Sequence, residues 1–115
     1  MKYSSYVLFF KALSNRVRLS ILDSLMSGEK SVSEICSLTG LEQSRASHNL
    51  RILSTWGFIK SKRKGKKVIY SLDRKNITPI MEAAATYLDK HEVKLCTCGI
   101  LKGEKTCKHL RLKNG

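Results

Sequence analysis

The sequence has 115 residues, with 22 Lys or Arg against 9 Asp or Glu, a formal charge of +13. That length fits one small domain and leaves little room for a catalytic pocket with walls of its own. With 42% apolar and 27% charged residues and a single proline, the composition describes a compact, helical body and excludes a disordered tail as the main architecture.

No apolar run approaches the ~20 residues that span a bilayer. The opening residues 1–11 are too short and wrongly bounded for a signal peptide. The expected compartment is a reducing cytoplasm, where the four cysteines are thiols or metal ligands before they are disulfides. A surplus of +13 calls for an anionic partner, with nucleic acid ahead of an anionic membrane face.

In chain order, the spacing predicts a first helix over residues 3–13, with Tyr6, Val7, Phe10 and Leu13 on one stripe and Leu8 and Phe9 on other faces. A helix apolar nearly all round needs cover on more than one side, which in a small protein points to a subunit interface. Ser14 or Asn15 caps a second helix that runs to about residue 27, with Val17, Ile21, Leu22, Leu25 and Met26 inward and Gly28 as its stop. Ser31-Val32-Ser33-Glu34 is a capping-box pattern. It opens a short third helix with Val32, Ile35 and Cys36 on its apolar side, ending near Thr39 and Gly40. Cys36 reads there as a small packed hydrophobe.

A fourth helix is expected over residues 43–55, with Ala46, Leu50 and Leu53 inward and Trp56 closing it before Gly57. Two short helices joined by a glycine-containing turn form a helix-turn-helix. The outer side of the fourth helix carries Gln43, Ser44, Arg45, Ser47, His48 and Arg51, polar and basic groups of the kind that meet base edges and phosphates.

The period then changes. Residues 58–63 and 68–72 are β-rich runs separated by Lys64-Gly65-Lys66-Lys67, which reads as a hairpin turned at Gly65. Six of the eight residues from 60 to 67 are Lys or Arg, so Lys62, Arg63, Lys64, Lys66 and Lys67 form a basic wing suited to the DNA backbone or minor groove. A fifth helix is expected over residues 77–91, with Ile77, Ile80, Met81, Ala84, Tyr87 and Leu88 on one stripe and Pro79 in the first turn. The run Ala83-Ala84-Ala85 permits close helix approach, and the fifth helix pairs with the first as a dimer interface. His91 reads as a C-terminal cap. The fold class is therefore mainly α with a β-hairpin wing, a winged helix-turn-helix over residues 1–92 that forms a homodimer through its first and fifth helices, followed by a basic, cysteine-rich tail at 93–115.

Phe10-Lys11-Ala12-Leu13-Ser14-Asn15-Arg16-Val17-Arg18-Leu19-Ser20-Ile21-Leu22 resembles the opening of the ArsR/SmtB family of winged-helix repressors. Ser44, Ser47, His48, Leu50, Leu53 and Gly57 follow that family's recognition-helix pattern, and Arg63-Lys64-Gly65-Lys66 through Tyr70-Ser71-Leu72 follows its wing. The similarity spans about positions 9–90, and its strength lies in the order and spacing of the three motifs together. It implies a homodimer on an operator palindrome that lets go when an inducer, often a metal ion or metalloid, binds. The sequence departs from the family at both well-known sensing sites. The thiolate pair of the third helix falls on Ser31 and Ser33, and the zinc site of the last helix falls on Arg74, Asn76, Tyr87 and Lys90.

Three of the four cysteines and one of three histidines lie between positions 96 and 109. Cys96-x-Cys98-Gly99 reads as a ligand knuckle, with a loop containing Gly103 expected to return Cys107 and His109. Three thiolates and an imidazole suit a closed tetrahedral Zn2+ site; the three thiolates alone suit As(III) or another thiophilic ion. A sensory site, a permanent zinc staple, a reversible disulfide and a basic tail with incidental cysteines all remain open at this point. An RNA-binding zinc-knuckle protein is the rival from another class, weakened by the lack of an exposed aromatic platform. An enzyme is not expected, because no nucleophile stands by sequence beside a base and an orienting group.

Overall fold

In a computed structural model, the described residues are 2–97 for the backbone and 2–91 for the side chains. The chain forms α1 (Tyr3–Leu13), α2 (Arg16–Ser24), β1 (Lys30–Ser31), α3 (Val32–Thr39), α4 (Gln43–Thr55), β2 (Ile59–Lys64), β3 (Lys67–Leu72) and α5 (Arg74–Thr97). It falls into two compact units, the first ending at Ile77 and the second beginning at Thr78.

The first unit is built around the helical triad. Ile21 and Leu22 from the second helix, Leu25 that caps its end, Ile35 from the third and Leu50 and Leu53 from the fourth are fully buried, joined by Ile77 from the start of α5. Asn15 caps α2 by accepting from the Arg18 N–H. The helix stops at Ser24, three residues short of the expected end, where the Leu25 N–H is shared between the Ile21 and Leu22 carbonyls. Met26 consequently lies beyond the helix and is exposed, although the helical spacing placed it inward. The capping box of α3 forms as expected: Ser31 Oγ accepts from the Glu34 N–H at 3.3 Å, and Glu34 Oε1 accepts from the Ser31 N–H at 2.8 Å. Gly40 ends α3 in the left-handed conformation (φ 78°), which only a residue without Cβ adopts freely.

The three strands form one antiparallel sheet in the order β1-β3-β2. Lys64 pairs with Lys67 across a two-residue Gly65-Lys66 turn, with Gly65 at φ 64°. Ile59 and Leu72, which face each other in the register, are buried and root the hairpin in the core.

The α1 helix turns Phe9 and Ala12 toward its own unit, whereas Tyr3, Tyr6, Val7, Leu8 and Phe10 are exposed. The expected stripe of Tyr6, Val7 and Phe10 is therefore the outward face. α5 starts at Arg74, three residues earlier than expected, because the Asp73 carbonyl takes the N–H groups of Asn76 and Ile77 directly after β3. Pro79 accordingly lies past the first turn, inside the helix, where it removes a hydrogen bond to the Lys75 carbonyl. Along α5, Ile80, Met81 and Leu88 are half-buried and Ala84 and Tyr87 exposed, and the Tyr87 ring stacks on His91 with centroids 4.2 Å apart. The helix runs on through Thr97, so Cys96 belongs to its backbone; the side chain of Cys96, together with Cys98, Cys107 and His109, lies outside the described residues.

Candidate nucleic-acid interface

Two surfaces of the first unit carry the residues singled out for nucleic acid. On α4 the burial alternates with helical period: Ala46, Asn49, Leu50 and Leu53 are buried, and Gln43, Ser44, Arg45, Ser47, His48 and Arg51 are all exposed. The helix opens at Glu42 without a side-chain cap, so its first N–H groups point outward with the positive end of the helix dipole. This combination of donors, guanidinium groups and an imidazole can meet both phosphates and base edges.

On the wing, Lys62, Arg63, Lys64, Lys66 and Lys67 are exposed. Lys60, Lys62 and Lys64 share one face of β2, since strand side chains alternate, and the opposite face carries Ile59, Ser61 and Arg63. Two of these lysines have a partner that sequence reasoning missed. Lys64 Nζ donates to Glu29 Oε2 at 2.7 Å, and Lys62 Nζ lies 3.7 Å from Glu29 Oε1. The Lys64 hydrogen bond, with the charges of Lys62 and Lys64, holds the Glu29 carboxyl below its ordinary value. No local pattern announced this contact, because Glu29 and Lys64 are joined only by the sheet.

Behind the α4 surface lies a partly buried polar pair, also missed. Arg18 on α2 donates to Asn49 Oδ1 at 3.0 Å and to the Ala12 carbonyl at 2.6 Å, and Asn49 Nδ2 donates to the Arg45 carbonyl at 2.9 Å. A signal for it did exist: Asn49 interrupts the apolar stripe of Ala46, Leu50 and Leu53 with an amide. An aromatic cluster fixes the end of α4, with Phe9 edge-on to Trp56 at 6.0 Å and to Phe58 at 5.9 Å and Trp56 stacked on Phe58 at 5.9 Å.

Three of the positions where a metal would be expected from the family resemblance are otherwise engaged. Ser31 is the buried cap of α3, with its hydroxyl on Glu34. Arg74 donates to the Met26 carbonyl, and Asn76 donates to the Gly57 carbonyl and to Asp73. These residues do not fit a thiophilic ion or zinc. Among the described residues, no group of three or more His, Cys, Asp and Glu side chains comes together, and no helix is long and apolar enough to cross a membrane.

Residues 15–61 match the family described as bacterial regulatory protein, arsR family. A cadmium resistance transcriptional regulatory protein, the CadC homolog of Staphylococcus aureus, is 36% identical over 85 residues, which is 73% of this chain and 69% of that one. The crystal structure of Rv0081 from Mycobacterium tuberculosis superposes with a TM-score of 0.72 at 32% identity, over 76% of this chain and 89% of that one. The homodimeric winged helix-turn-helix DNA-binding domain of Mb0332 from Mycobacterium bovis, a fragment of residues 1–100, gives a TM-score of 0.67 at 29% identity, covering 79% of this chain and 90% of that one. Across the first curated relatives the share of their own length that the chain spans varies widely, 36%, 62% and 77%. The fold and the exposed α4 face define a winged helix-turn-helix regulator. The chain belongs to the arsR family of bacterial regulatory proteins, a family of transcriptional regulators and not of enzymes.

Proposed function

We propose that this chain is a homodimeric, sequence-specific DNA-binding repressor, and that a thiophilic metal ion or metalloid taken up by its C-terminal cysteines releases it from DNA. The observation that carries the DNA reading is the exposed row Gln43, Ser44, Arg45, Ser47, His48 and Arg51 on α4, flanked by the basic wing at Lys62, Arg63, Lys64, Lys66 and Lys67. The exposed apolar face of α1, with Phe10 at 60% and Leu8 at 56% exposure, supports a second copy docked there. In such a dimer the two α4 helices enter successive major grooves about 34 Å apart.

The inducer reading is supported by the ligand chemistry of Cys96, Cys98, Cys107 and His109 and by the cadmium resistance regulator among the relatives. Zn2+ suits all four residues, and As(III) suits the three thiolates. A gel-shift and anisotropy comparison tests the proposal. Wild-type protein binds duplex DNA in preference to RNA of the same sequence and lets go on addition of As(III) or Zn2+. Replacing Cys96, Cys98 and Cys107 by Ser keeps DNA affinity and abolishes the response. A normal response in that variant removes the tail as sensor, and a preference for RNA removes the repressor reading.

A further inference from the structure

Arg18 uses its guanidinium to tie two helices together. Nε donates to the Ala12 carbonyl at 2.6 Å and one terminal nitrogen to the Lys11 carbonyl at 3.2 Å, both in the last turn of α1. Carbonyls there have no partner four residues on, and a cation is favoured at that negative end. The other terminal nitrogen donates to Asn49 Oδ1 at 3.0 Å, and Asn49 passes the connection on through Nδ2 to the Arg45 carbonyl at 2.9 Å. Asn49 is 6% exposed among the apolar residues of α4, and both polar ends of its amide are filled. Removing Arg18 leaves the buried Asn49 Oδ1 without its partner, and removing Asn49 leaves one nitrogen of the half-buried guanidinium without its own.

The planar fork also fixes direction, which a lysine ammonium in the same place does not. The end of α1 cannot shift against α4 without breaking these bonds or carrying α4 with it. Asn49 stands one residue beyond His48 and four beyond Arg45, so what holds its amide adds a directional constraint to the roll that the apolar stripe gives α4, and with it to the direction of the exposed row.

We infer that Arg18 and Asn49 are positioning residues for DNA reading: the joint they form passes the placement of α1, the helix with the exposed apolar face, to the roll of α4. The inference rests on the DNA-binding proposal above. Neither side chain need touch DNA; each acts through Arg45, Ser47 and His48. Loss of the joint therefore removes discrimination among sequences and leaves the sequence-independent attraction of the wing.

The test uses full-length protein and duplexes that the wild type selects from a randomised pool, with a scrambled duplex beside them. Asn49→Ala and Arg18→Gln each lower affinity for the selected duplex by about tenfold, a typical scale for coupled sites, and leave affinity for the scrambled duplex unchanged. The double variant loses no more than either single one. Dimer mass by light scattering stays that of the wild type. Arg18→Lys, which keeps the charge without the fork, behaves as Arg18→Gln does. Should Asn49→Ala prove unfolded by circular dichroism, Arg18→Lys carries the test alone with the same two duplexes. Equal losses on both duplexes, or an unchanged ratio with only a lowered melting temperature, overturn the inference. A wild type that selects no duplex at all overturns instead the DNA reading on which it rests.

Discussion

Glu29 is the carboxylate against which the basic wing is set, taking Lys64 at 2.7 Å with Lys62 at 3.7 Å. Its depressed pKa means that the ion pair contributes above the unfolded value and is lost as pH falls through the folded one, so the pair is intact at neutral pH. Its members are too exposed for the pair to matter much to stability. Under the proposed DNA reading its larger effect is on binding, because it holds two ammonium groups that the reading assigns to phosphate. Glu29→Gln is expected to leave the melting temperature close to wild type while raising affinity for duplexes of any sequence; anisotropy titrations showing no gain would mean that the lysines exchange carboxylate for phosphate at no cost. Glu34 is shifted in the same direction, but its partner is the helix cap and not the wing. The Ser31 N–H, the first cause, holds its carboxyl below the ordinary range, and the same sign rule applies: the stabilisation is present at neutral pH and fades in acid. Glu34→Gln keeps an acceptor for that N–H but does not titrate, so its melting temperature is expected to fall less steeply in acid than that of the wild type. Ser31→Ala removes the reciprocal bond and is expected to cost about 1 kcal/mol at neutral pH by thermal melting.

At the scale of elements, α3 and α4 and the hairpin were legible because each signal is local. The Ser31…Glu34 box opens α3, and Gly40 closes it. The 3.6-residue spacing of Ala46, Leu50 and Leu53 orients α4, and Gly65 turns the wing. What escaped notice has a tertiary cause. Two-residue β1 has no period to read and exists only because Lys30 and Ser31 find Tyr70 and Ile69 on β3. The early start of α5 depends on Asp73, whose N–H is held by the Phe58 carbonyl at 2.9 Å. The same division runs through the interface: the exposed row of α4 followed from periodicity, whereas Arg18 and Asn49 meet across 31 positions of sequence. The hairpin offers a direct test at this scale. With Gly65 at φ 64°, a β-branched side chain is strained, and Gly65→Val is expected to destabilise the turn by about 1–2 kcal/mol. Gly65→Asn, which tolerates the left-handed region, stays near wild type in the same melts.

For the molecule as a whole, the decisive quantity is where its +13 charge sits. A charge spread evenly over the surface would attract a membrane face and a nucleic acid alike. Here six basic residues crowd into positions 60–67, on a hairpin rooted in the core by Ile59 and Leu72 and following directly on the α4 helix. A rigid basic ridge beside an exposed polar helix matches the alternation of phosphates and base edges along a groove, and a fluid lipid surface offers no such register. Each phosphate neutralised releases counterions, so about six contacts give a log–log salt slope of about −5 on duplex DNA. Lys66 and Lys67 stand at the exposed tip, apart from the Glu29 pair. Replacing both by Ala is expected to make the slope shallower by about 2 if each meets a phosphate. Affinity should fall equally for selected and scrambled duplexes, since phosphates carry no sequence. The contrast with Asn49→Ala, where the ratio falls and the salt slope holds, separates what the wing contributes from what the α4 face reads. A salt slope unchanged by the double alanine substitution would place the wing away from the backbone and leave α4 alone on the DNA.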